Sequence, residues 1–429
     1  MAIPITRSRQ RRSSLNGETL FRLSLKMEAR IKQTSRWTVL LLIFLVTNAL
    51  GFIYQGFPPI LTFAISSLGL SHAQAGALMS VFSLPGIIVA LPGGILATAY
   101  GAKRVLLGAL IFMTAGVFLV AFAPYYPLLI AGRFIAGIGG MTVVVVAPQT
   151  LSVWFSDKRL SIAISVYNSA IPVAFITAYN TFGTLAKVTH WQVPVRLTFI
   201  YCAVVCLLFA WKYPSKSAVE AERHKPDIRE NLMVLKKAGS PVWLLSFVWM
   251  MYHISSVSFM TFAGDHYIAQ GLSVELAGFL TSLFMMSSIF LGPVLGTVIS
   301  RIGKEIYFAA FGFAMMALFI FLVPRSNINP LILVGLIGLS SVFIPTPVLT
   351  LVPRYLPSRY SGLGYGLSST LANVGALIGP YLVGLIHDKY HDHSRGFSFM
   401  AFFAMLGAVI ALLVPLAVKR RESRKSHQN

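Results

Sequence analysis

Polar side chains that could bind a solute recur inside long apolar stretches of this sequence. Tyr54 and Gln55 lie at the middle of one stretch, and Tyr252 and His253 lie at the middle of another. A polar group in hydrocarbon raises the free energy of the protein unless it has a partner, so these side chains should face other helices or water. They donate and accept hydrogen bonds, and histidine also binds a proton near neutral pH. This chemistry is typical of a solute-binding site.

Other polar residues are secondary candidates for the same site. Tyr167 and Asn168 share one apolar stretch, and Ser369 and Asn373 share another. Hydrogen bonds between neighbouring helices also explain these four residues and are the simpler interpretation. For His253 the alternative is a buried neutral imidazole paired with a hydroxyl group.

Arg133 is the one formal charge well within an apolar stretch. It lies seven residues from the centre of that stretch, which is about 10 Å at helical rise and therefore in the outer third of a membrane. Burying a charge there costs about 2.5–3.5 kcal/mol, so the guanidinium needs a partner. It either attracts an anionic solute or is bonded to backbone carbonyls, and the second interpretation is the simpler.

These residues must be positioned by membrane-spanning helices. The chain is 56% hydrophobic and only 11% charged, whereas a soluble domain has about 25% charged residues. The apolar stretches are continuous and do not alternate, which predicts helices and not a membrane barrel. The predicted fold class is an all-α membrane protein with twelve transmembrane helices. The predicted spans cover approximately residues 37–66, 73–98, 104–123, 128–153, 161–185, 194–212, 242–268, 273–299, 305–324, 329–352, 361–386 and 397–418.

The formal charge of +22 indicates the orientation of the chain in the membrane. If the N-terminus is cytoplasmic, 29 of the 35 Lys and Arg residues lie in cytoplasmic segments or adjoining span ends. Lys and Arg stay on the cytoplasmic side during insertion, so we expect a multi-pass protein of the cell membrane with both termini cytoplasmic. This distribution argues against binding of nucleic acid and favours contact with anionic lipid head groups. We expect residues 1–36 to be a cytoplasmic tail, with a transit peptide or a start at Met27 as alternatives.

The sequence repeats itself at an offset of about 200 residues. "RLS" at 159–161 corresponds to "RYS" at 359–361, an offset of 200, and a second match with an offset of 199 would place Tyr54 on His253. Because the matches share an offset and each repeat contains six spans, the halves should be pseudo-symmetric six-helix bundles with a solute site between them. The predicted segments are a basic cytoplasmic tail at 1–36, a first bundle at 37–212, a cytoplasmic linker at 213–240, a second bundle at 241–418 and a basic cytoplasmic tail at 419–429.

A glycine-marked turn with nearby basic residues occurs in both halves. Its first copy is contained in "GILATAYGAKR" and its second in "GTVISRIGKE", and six residues separate the two glycines of each copy. We expect a conformational hairpin on the cytoplasmic face at each turn; the alternative is that the basic residues only mark that face. The hairpin residues are Gly94, Thr98, Gly101, Lys103 and Arg104 in the first half, and Gly296, Ser300, Arg301 and Gly303 in the second.

The first hairpin resembles the motif G-x-L-a-D-r-x-G-r-k of the major facilitator superfamily, and "LIAGRFIAGIGG" at 129–140 resembles that family's fourth-span motif. The resemblance covers about residues 37–418 and implies a carrier whose two halves alternate around a central site. We expect it to be monomeric. In that family the hairpin Asp holds the halves closed on the cytoplasmic side, but Thr98 and Ser300 replace it here. A hydroxyl carries no charge for a helix dipole, so we expect a weaker closure.

The polar content of the spans favours an anionic solute. No Asp or Glu lies deep within a predicted span, and carriers of cations or protons usually need a carboxylate there. We expect transport of a small organic or inorganic anion by uniport or exchange, with His253 as the candidate group for proton coupling. The alternative is export of hydrophobic drug-like solutes or of neutral polar solutes. Nitrate and nitrite porters are related candidates, but the paired arginines of their second and eighth spans are missing here.

Catalytic and metal chemistry have little support in the sequence. The segment "HDKYHDH", His387 to His393, has no regular ligand spacing, so we expect an exposed outside loop and not a zinc site. Cys202 and Cys206 lie one helical turn apart and should be packing residues. A receptor or enzyme would need a soluble domain or a converging acid, base and nucleophile, and a channel would need a pore-lining ring. We therefore expect no enzyme activity, no cofactor and no metal.

Overall fold

The computed structural model describes residues 36–89, 97, 100–155, 157–214, 240–356 and 361–426. Within these ranges the regular structure is helical and no strand occurs. Twelve of the helices are long and apolar enough to cross a membrane, which confirms the predicted fold class. Helices form because every backbone N–H and C=O group in lipid must then find its partner within the same segment.

The twelve helices follow the order of the predicted spans. Their bounds are α1 (Arg36–Leu68), α2 (His72–Val89), α3 (Ala102–Ala121), α4 (Tyr126–Trp154), α5 (Ile162–Val188), α6 (Gln192–Lys212), α7 (Ser240–Ala269), α8 (Val274–Ile299), α9 (Glu305–Leu322), α10 (Pro330–Leu351), α11 (Leu363–Tyr390) and α12 (His393–Lys419). A short 3-10 helix, Val352–Tyr355, follows α10.

Breaks next to proline residues interrupt three of these helices. α2 is non-helical at residues 82–83, shortly before Pro85. α1 passes through a 3-10 turn at Pro58–Ile60 before it resumes as Leu61–Leu68. α10 consists of the pieces Pro330–Val342 and Pro345–Leu351. Proline has no backbone N–H, so it breaks the hydrogen-bond ladder of a helix. In α1 the break follows Gln55 closely, and the polar centre of this helix therefore adjoins an irregular segment.

An even number of spans places both ends of the bundle on one face. We call this face the terminal face, since it carries Arg36 and Lys419, and the opposite one the distal face. The even-numbered helices start on the distal face, and side chains cap α2, α8 and α10 among them. Ser71, Ser273 and Asn329 accept backbone N–H groups from the first turns of α2, α8 and α10. These caps satisfy donors that a helix start leaves without a partner.

The helices pack as two sets of six. In the first set α3 packs against α4 and α6, and in the second α7 packs against α11 and α12 while α9 packs against α12. The sets meet mainly where α2 packs against α11 and where α5 packs against α8. Because α8 and α11 are the second and fifth helices of their own set, a twofold rotation exchanges these two pairs. The packing therefore has the pseudo-symmetry that the repeat predicts.

Glycines allow the two sets to approach closely. A Cβ atom on Gly278 of α8 would lie 2.0 Å from the Tyr179 carbonyl oxygen of α5. In the other pair, a Cβ atom on Gly76 of α2 would lie 2.2 Å from the Pro380 carbonyl oxygen of α11. Side chains in close-packed interiors do not approach backbone atoms this closely, so any larger residue would push the two sets apart.

We expect Gly278→Ala to destabilise the protein by about 1–3 kcal/mol, because a methyl group does not fit between α5 and α8. Thermal unfolding of the purified protein should show a lower transition temperature. Gly292→Ala on the same helix is the matched control, since in the part of the chain that the structure describes its Cβ atom would meet nothing within 4 Å. Equal transition temperatures for the two variants would contradict close packing at Gly278.

Candidate functional site

The centre of α1 presents Tyr54 beside aromatic rings of the same half. The Tyr54 ring centroid lies 5.1 Å from that of Phe82 in α2 and 6.1 Å from that of Phe175 in α5. Part of the Tyr54 side chain remains exposed, whereas Gln55 is buried. Of these two predicted site residues, Tyr54 is therefore the one whose side chain is partly exposed.

Gln55 belongs to a polar link between the two halves. Tyr179 of α5 donates a hydrogen bond to the Met260 carbonyl oxygen of α7 at 2.7 Å. The Tyr179 hydroxyl also lies 3.0 Å from the side-chain oxygen of Gln55. Tyr179 is not among the residues predicted from the sequence, although it is a polar ring inside a span in the same way as Tyr167.

His253 of α7 makes a hydrogen bond to the backbone through one of its ring nitrogens. Its Nδ1 atom lies 2.9 Å from the Trp249 carbonyl oxygen of the preceding turn. A carbonyl only accepts, so Nδ1 carries the hydrogen and Nε2 of the neutral ring is an acceptor. The side chain is only partly buried. The centroid of the Trp249 ring lies 4.7 Å from that of the His253 ring, in a T-shaped arrangement. Tyr252 is buried, and its ring stacks on that of Trp249 with 5.1 Å between the centroids. It therefore supports the Trp249 ring that packs against His253.

The secondary candidates occupy different environments. Tyr167 of α5 is half-buried, and Asn168 beside it is exposed. In α11, Asn373 donates to the Ser369 carbonyl oxygen at 2.9 Å. The Asn373 side chain also lies 2.6 Å from the position of a Cβ atom on Gly86 of α2. Asn373 is therefore at the contact between the halves.

Tyr54 and His253, which the repeat predicts to face each other, do not touch in this state. Among the hydrogen bonds and ring contacts of the described ranges, none joins the two side chains. Tyr54 contacts α2 and α5, whereas His253 packs on α11, where a Cβ atom on Gly375 would lie 3.2 Å from the His253 Cβ atom. Their assignment to a single solute site stays a prediction.

Arg133 of α4 is buried, and its guanidinium group is surrounded by backbone carbonyls. Nε donates to the Leu78 oxygen at 2.9 Å, and Nη2 donates to the Tyr54 oxygen at 3.2 Å. Nη1 donates to the Ile53 oxygen. The guanidinium carbon lies 4.9 Å from the centre of the Phe82 ring, a cation–π contact. The adjoining void of about 20 Å³ has room for about one water molecule. These contacts support the interpretation in which Arg133 ties α4 to α1 and α2.

We expect Arg133→Lys to destabilise the first half by about 1.5–3 kcal/mol, because an ammonium group cannot reach all three carbonyl oxygens. Thermal unfolding should report the loss. Arg196→Lys is the control: Arg196 is exposed and bonds to the Ala121 carbonyl oxygen at 3.4 Å. A stable Arg133→Lys variant that had lost only its affinity for solute would instead favour a direct role in binding.

The two predicted hairpins each contain a glycine with a left-handed backbone. The φ angle is +82° at Gly101, just before α3, and +68° at Gly303, just after α8. Glycine adopts this conformation at little cost because it has no Cβ atom. A Cβ atom on Gly296 would lie 3.7 Å from the Thr346 methyl carbon, which is ordinary contact. The shared turn geometry explains why both copies keep their second glycine.

The charged hairpin residues that the structure describes lie at the terminal face. Lys103 donates to the Tyr213 carbonyl oxygen at 2.8 Å, while Arg104 and Arg301 are exposed. Three hairpin positions lie outside what the structure describes: Gly94, Thr98 and the side chain of Ser300. The weaker closure expected without an Asp at the hairpin stays a prediction.

The segment "HDKYHDH" is not the exposed loop that its spacing predicted. α11 continues through Tyr390 and α12 starts at His393, so only residues 391–392 are non-helical. His387 is half-buried, and its ring centroid lies 3.6 Å from that of His72 at the start of α2. The prediction was wrong because a helix can continue past its last apolar residue, and apolarity alone does not mark its end.

Two carboxylates of the second half bind the start of α2. Asp388 accepts the backbone N–H groups of His72 and Ala73, both at 2.8 Å. Asp265 accepts from the Thr62 hydroxyl at 2.8 Å and from His72 Nε2 at 3.2 Å. A helix N-terminus carries partial positive charge, so the carboxylate of Asp388 is well placed there. The following residues are called the distal cluster: Thr62, His72, Asp265, His387 and Asp388.

We expect Asp388→Asn to weaken closure of the distal face by about 0.5–2 kcal/mol, because the amide carries no charge for the α2 dipole. Maleimide labelling of Ala277→Cys, a site that is 1% exposed, should accelerate by about 2- to 30-fold in a background without Cys202 and Cys206. Asp392→Asn is the control, since Asp392 is exposed and accepts from the Ser394 N–H of its own half. Unchanged labelling in Asp388→Asn would show that this contact does not hold the face closed.

Comparison with known proteins agrees with this geometry. The family model described as Major Facilitator Superfamily matches residues 43–380 and, in a second match, residues 254–429. The chain belongs to the Major Facilitator Superfamily. Its twelve helices and twofold packing are those of a member of this superfamily, which consists of transporters.

Two relatives and one solved structure illustrate the likeness within the superfamily. The Homo sapiens protein named Lysosomal dipeptide transporter MFSD1 is 24% identical over 357 residues, which are 77% of this chain and 74% of that protein. The Escherichia coli (strain K12) protein named Probable galactarate/D-glucarate transporter GarP is 22% identical over 432 residues, 91% of this chain and 97% of that protein. The solved structure is the crystal structure of a bacterial homolog to the human lysosomal transporter Spinster, in an inward-facing and unoccupied conformation. It has 14% sequence identity and a TM-score of 0.72, and the match covers 90% of this chain and 98% of that chain. This structural likeness supports the fold alone.

Proposed function

We propose that this chain moves a small organic anion across the membrane by alternating access, as a secondary or facilitative transporter. The observation that chiefly supports this proposal is His253, a partly exposed and titratable ring in the middle of α7, whereas the Asp and Glu residues that the structure describes lie at helix ends. From the distribution of Lys and Arg, the terminal face is the cytoplasmic one. The distal face then opens to the outside or to an organelle lumen.

The contacts between the halves support the alternating-access part of the proposal. Asp388 and Asp265 bind the start of α2 at the distal face, and Gly278 packs on Tyr179 nearby. Towards the terminal face, a Cβ atom on Gly292 of α8 would meet no atom of the described residues within 4 Å. This state is therefore the one with the distal side closed, and the opposite state requires the distal cluster to separate.

The chemistry of His253 links an anion to a proton. In the neutral ring Nε2 carries a lone pair, and a lone pair repels an anion. The protonated ring presents an N–H donor with a positive charge, which attracts one. The described groups that contact the ring are aromatic residues, the Trp249 carbonyl and Gly375. An anion would therefore bind together with a proton, and its affinity would rise as the pH falls.

A dipeptide is the second candidate solute, because the human relative is named as a dipeptide transporter. A dipeptide carries an ammonium group as well as a carboxylate. The ammonium group would donate to neutral His253 Nε2, and protonation of the ring would repel it. The two candidates therefore predict opposite signs of the pH dependence at this residue.

We expect purified protein in lipid vesicles to exchange labelled D-glucarate in a counterflow assay, with an affinity that rises as the pH falls. His253→Gln should lower this affinity about tenfold, or 1.4 kcal/mol, and remove its pH dependence. The thermal transition without solute should stay near that of the wild type. His190→Gln, at an exposed histidine on the distal face, should change neither property.

Dialanine is the comparison solute in the same assay. Counterflow of dialanine without counterflow of D-glucarate would replace the anion with a dipeptide as the solute. Counterflow of D-glucarate that is unchanged in His253→Gln would contradict the assignment of His253 to the site. Failure of both solutes in protein that is folded by its thermal transition would contradict the proposed solute class.

A further inference from the structure

We infer that His72, His387 and Asp388 bind a divalent transition-metal ion such as Zn²⁺ at the distal face, where the ion would link the two halves. His72 belongs to α2 of the first half, whereas the other two residues belong to α11 of the second. This inference concerns the distal face and does not depend on which solute the protein carries.

The three side chains bring metal-ligating atoms close together. One ligand atom from each residue lies within 4.8 Å of the ligand atoms of the other two. Zn–N and Zn–O distances of about 2.0–2.2 Å in a tetrahedral site require ligand atoms roughly 3.3–3.5 Å apart. His72 Nδ1 and Asp388 Oδ1, at 3.6 Å, are already near that separation. The other separations, which are at most 4.8 Å, would have to shorten to about the same length when a metal binds.

The hydrogen bonds of the distal cluster leave lone pairs that face one another. His72 Nε2 donates to the Asp265 carboxylate at 3.2 Å, so Nδ1 of the neutral His72 ring is unprotonated. This lone pair lies 3.6 Å from the Asp388 carboxylate oxygen, which is also an acceptor. His387 Nδ1 is buried and has no hydrogen-bond partner in the part of the chain that the structure describes. A cation among these three atoms would give each of them a partner.

The surrounding groups hold the ligands as metal sites commonly do. A metal-bound histidine usually donates its other N–H to a carboxylate, and Asp265 fills this role for His72. Asp388 is oriented by the two backbone N–H groups that it accepts. The His393 ring lies 4.3 Å from that of His387, so His393 or water can supply a fourth ligand.

A proton is the competing cation. An imidazolium at His72 would bond to Asp265 through Nε2 and face Asp388 through Nδ1, and it would satisfy both carboxylates without a metal. His387 Nδ1 would still lack a partner. Both N–H groups of the His72 imidazolium would already face carboxylates, and the ring would have no acceptor. The buried His387 nitrogen therefore favours the metal over the proton.

Titration of chelator-treated full-length protein with ZnCl₂, followed by calorimetry and by thermal unfolding, tests the inference. We expect one Zn²⁺ per chain, a thermal transition that rises with ZnCl₂ by mass action, and no effect of MgCl₂ at the same concentrations. His387→Ala and His72→Ala should each abolish saturable binding. Asp265→Asn should lower the affinity for Zn²⁺ about 10- to 100-fold. His391→Ala is the matched control, since His391 is exposed and lies four residues after His387.

The ligands lie on both halves, so bound Zn²⁺ should also hold the distal face closed. Labelling of Ala277→Cys should slow in ZnCl₂, and this effect should disappear in His387→Ala. Absence of saturable Zn²⁺ binding would overturn the inference and leave a proton on His72 as the cation. Wild-type affinity in both histidine variants, with wild-type thermal transitions before ZnCl₂ is added, would overturn the choice of ligands.

Discussion

The hydrogen bonds from two backbone amides of α2 to the Asp388 carboxylate are the interaction on which closure of the distal face depends. The amides at a helix start have no partner within the helix, and a carboxylate satisfies both of them and the helix dipole together. Asp388 belongs to the other half of the chain, so this contact forms only when the halves meet. Asp265 adds a second carboxylate from α7 to the same helix start through His72. The distal face is thus closed by polar contacts, which can separate into water at low cost.

Contacts inside each half are of a different kind and favour movement of the halves as rigid bodies. Arg133 bonds to carbonyls of α1 and α2, and Asn48 of α1 donates to the Ala170 carbonyl oxygen of α5 at 2.9 Å. These bonds are buried, and breaking them would leave polar groups without partners. Between the halves, glycines such as Gly278 permit backbone contact without interlocking side chains. A rotation of one half against the other therefore breaks the Tyr179–Met260 bond and the contacts of the distal cluster but leaves the bonds within each half intact.

The helices could be predicted from the sequence because every backbone N–H and C=O group in lipid needs a partner within the protein. Every apolar stretch of sufficient length had to be a helix, and the predicted spans match the observed order from α1 to α12. The end of α11 was less predictable, because the polar residues up to Tyr390 continue the helix beyond its apolar part. The two interpretations of Arg133 could not be separated by sequence, since its partners lie between 55 and 80 residues away along the chain.

The distal cluster was beyond local sequence patterns for a similar reason. His72 and Asp388 are separated by 316 positions, and only the packing of α2 on α11 brings them together. A partial signal was present, because the span count places the start of α2 and the ends of α7 and α11 on one face. Histidines and aspartates at those three ends were therefore candidates for a shared cluster. Their pairing still required the register of the helices, which hydropathy does not contain.

Distances between spin labels on the two faces test the central claim most directly. Labels at His190→Cys and His391→Cys report the distal face, and labels at Arg104→Cys and Arg301→Cys report the terminal face, each pair in a background without Cys202 and Cys206. Alternating movement of rigid halves predicts that Asp388→Asn lengthens the distal distance and shortens the terminal distance in the same population of molecules. Distances that lengthen together, or a change at one face alone, would contradict the account.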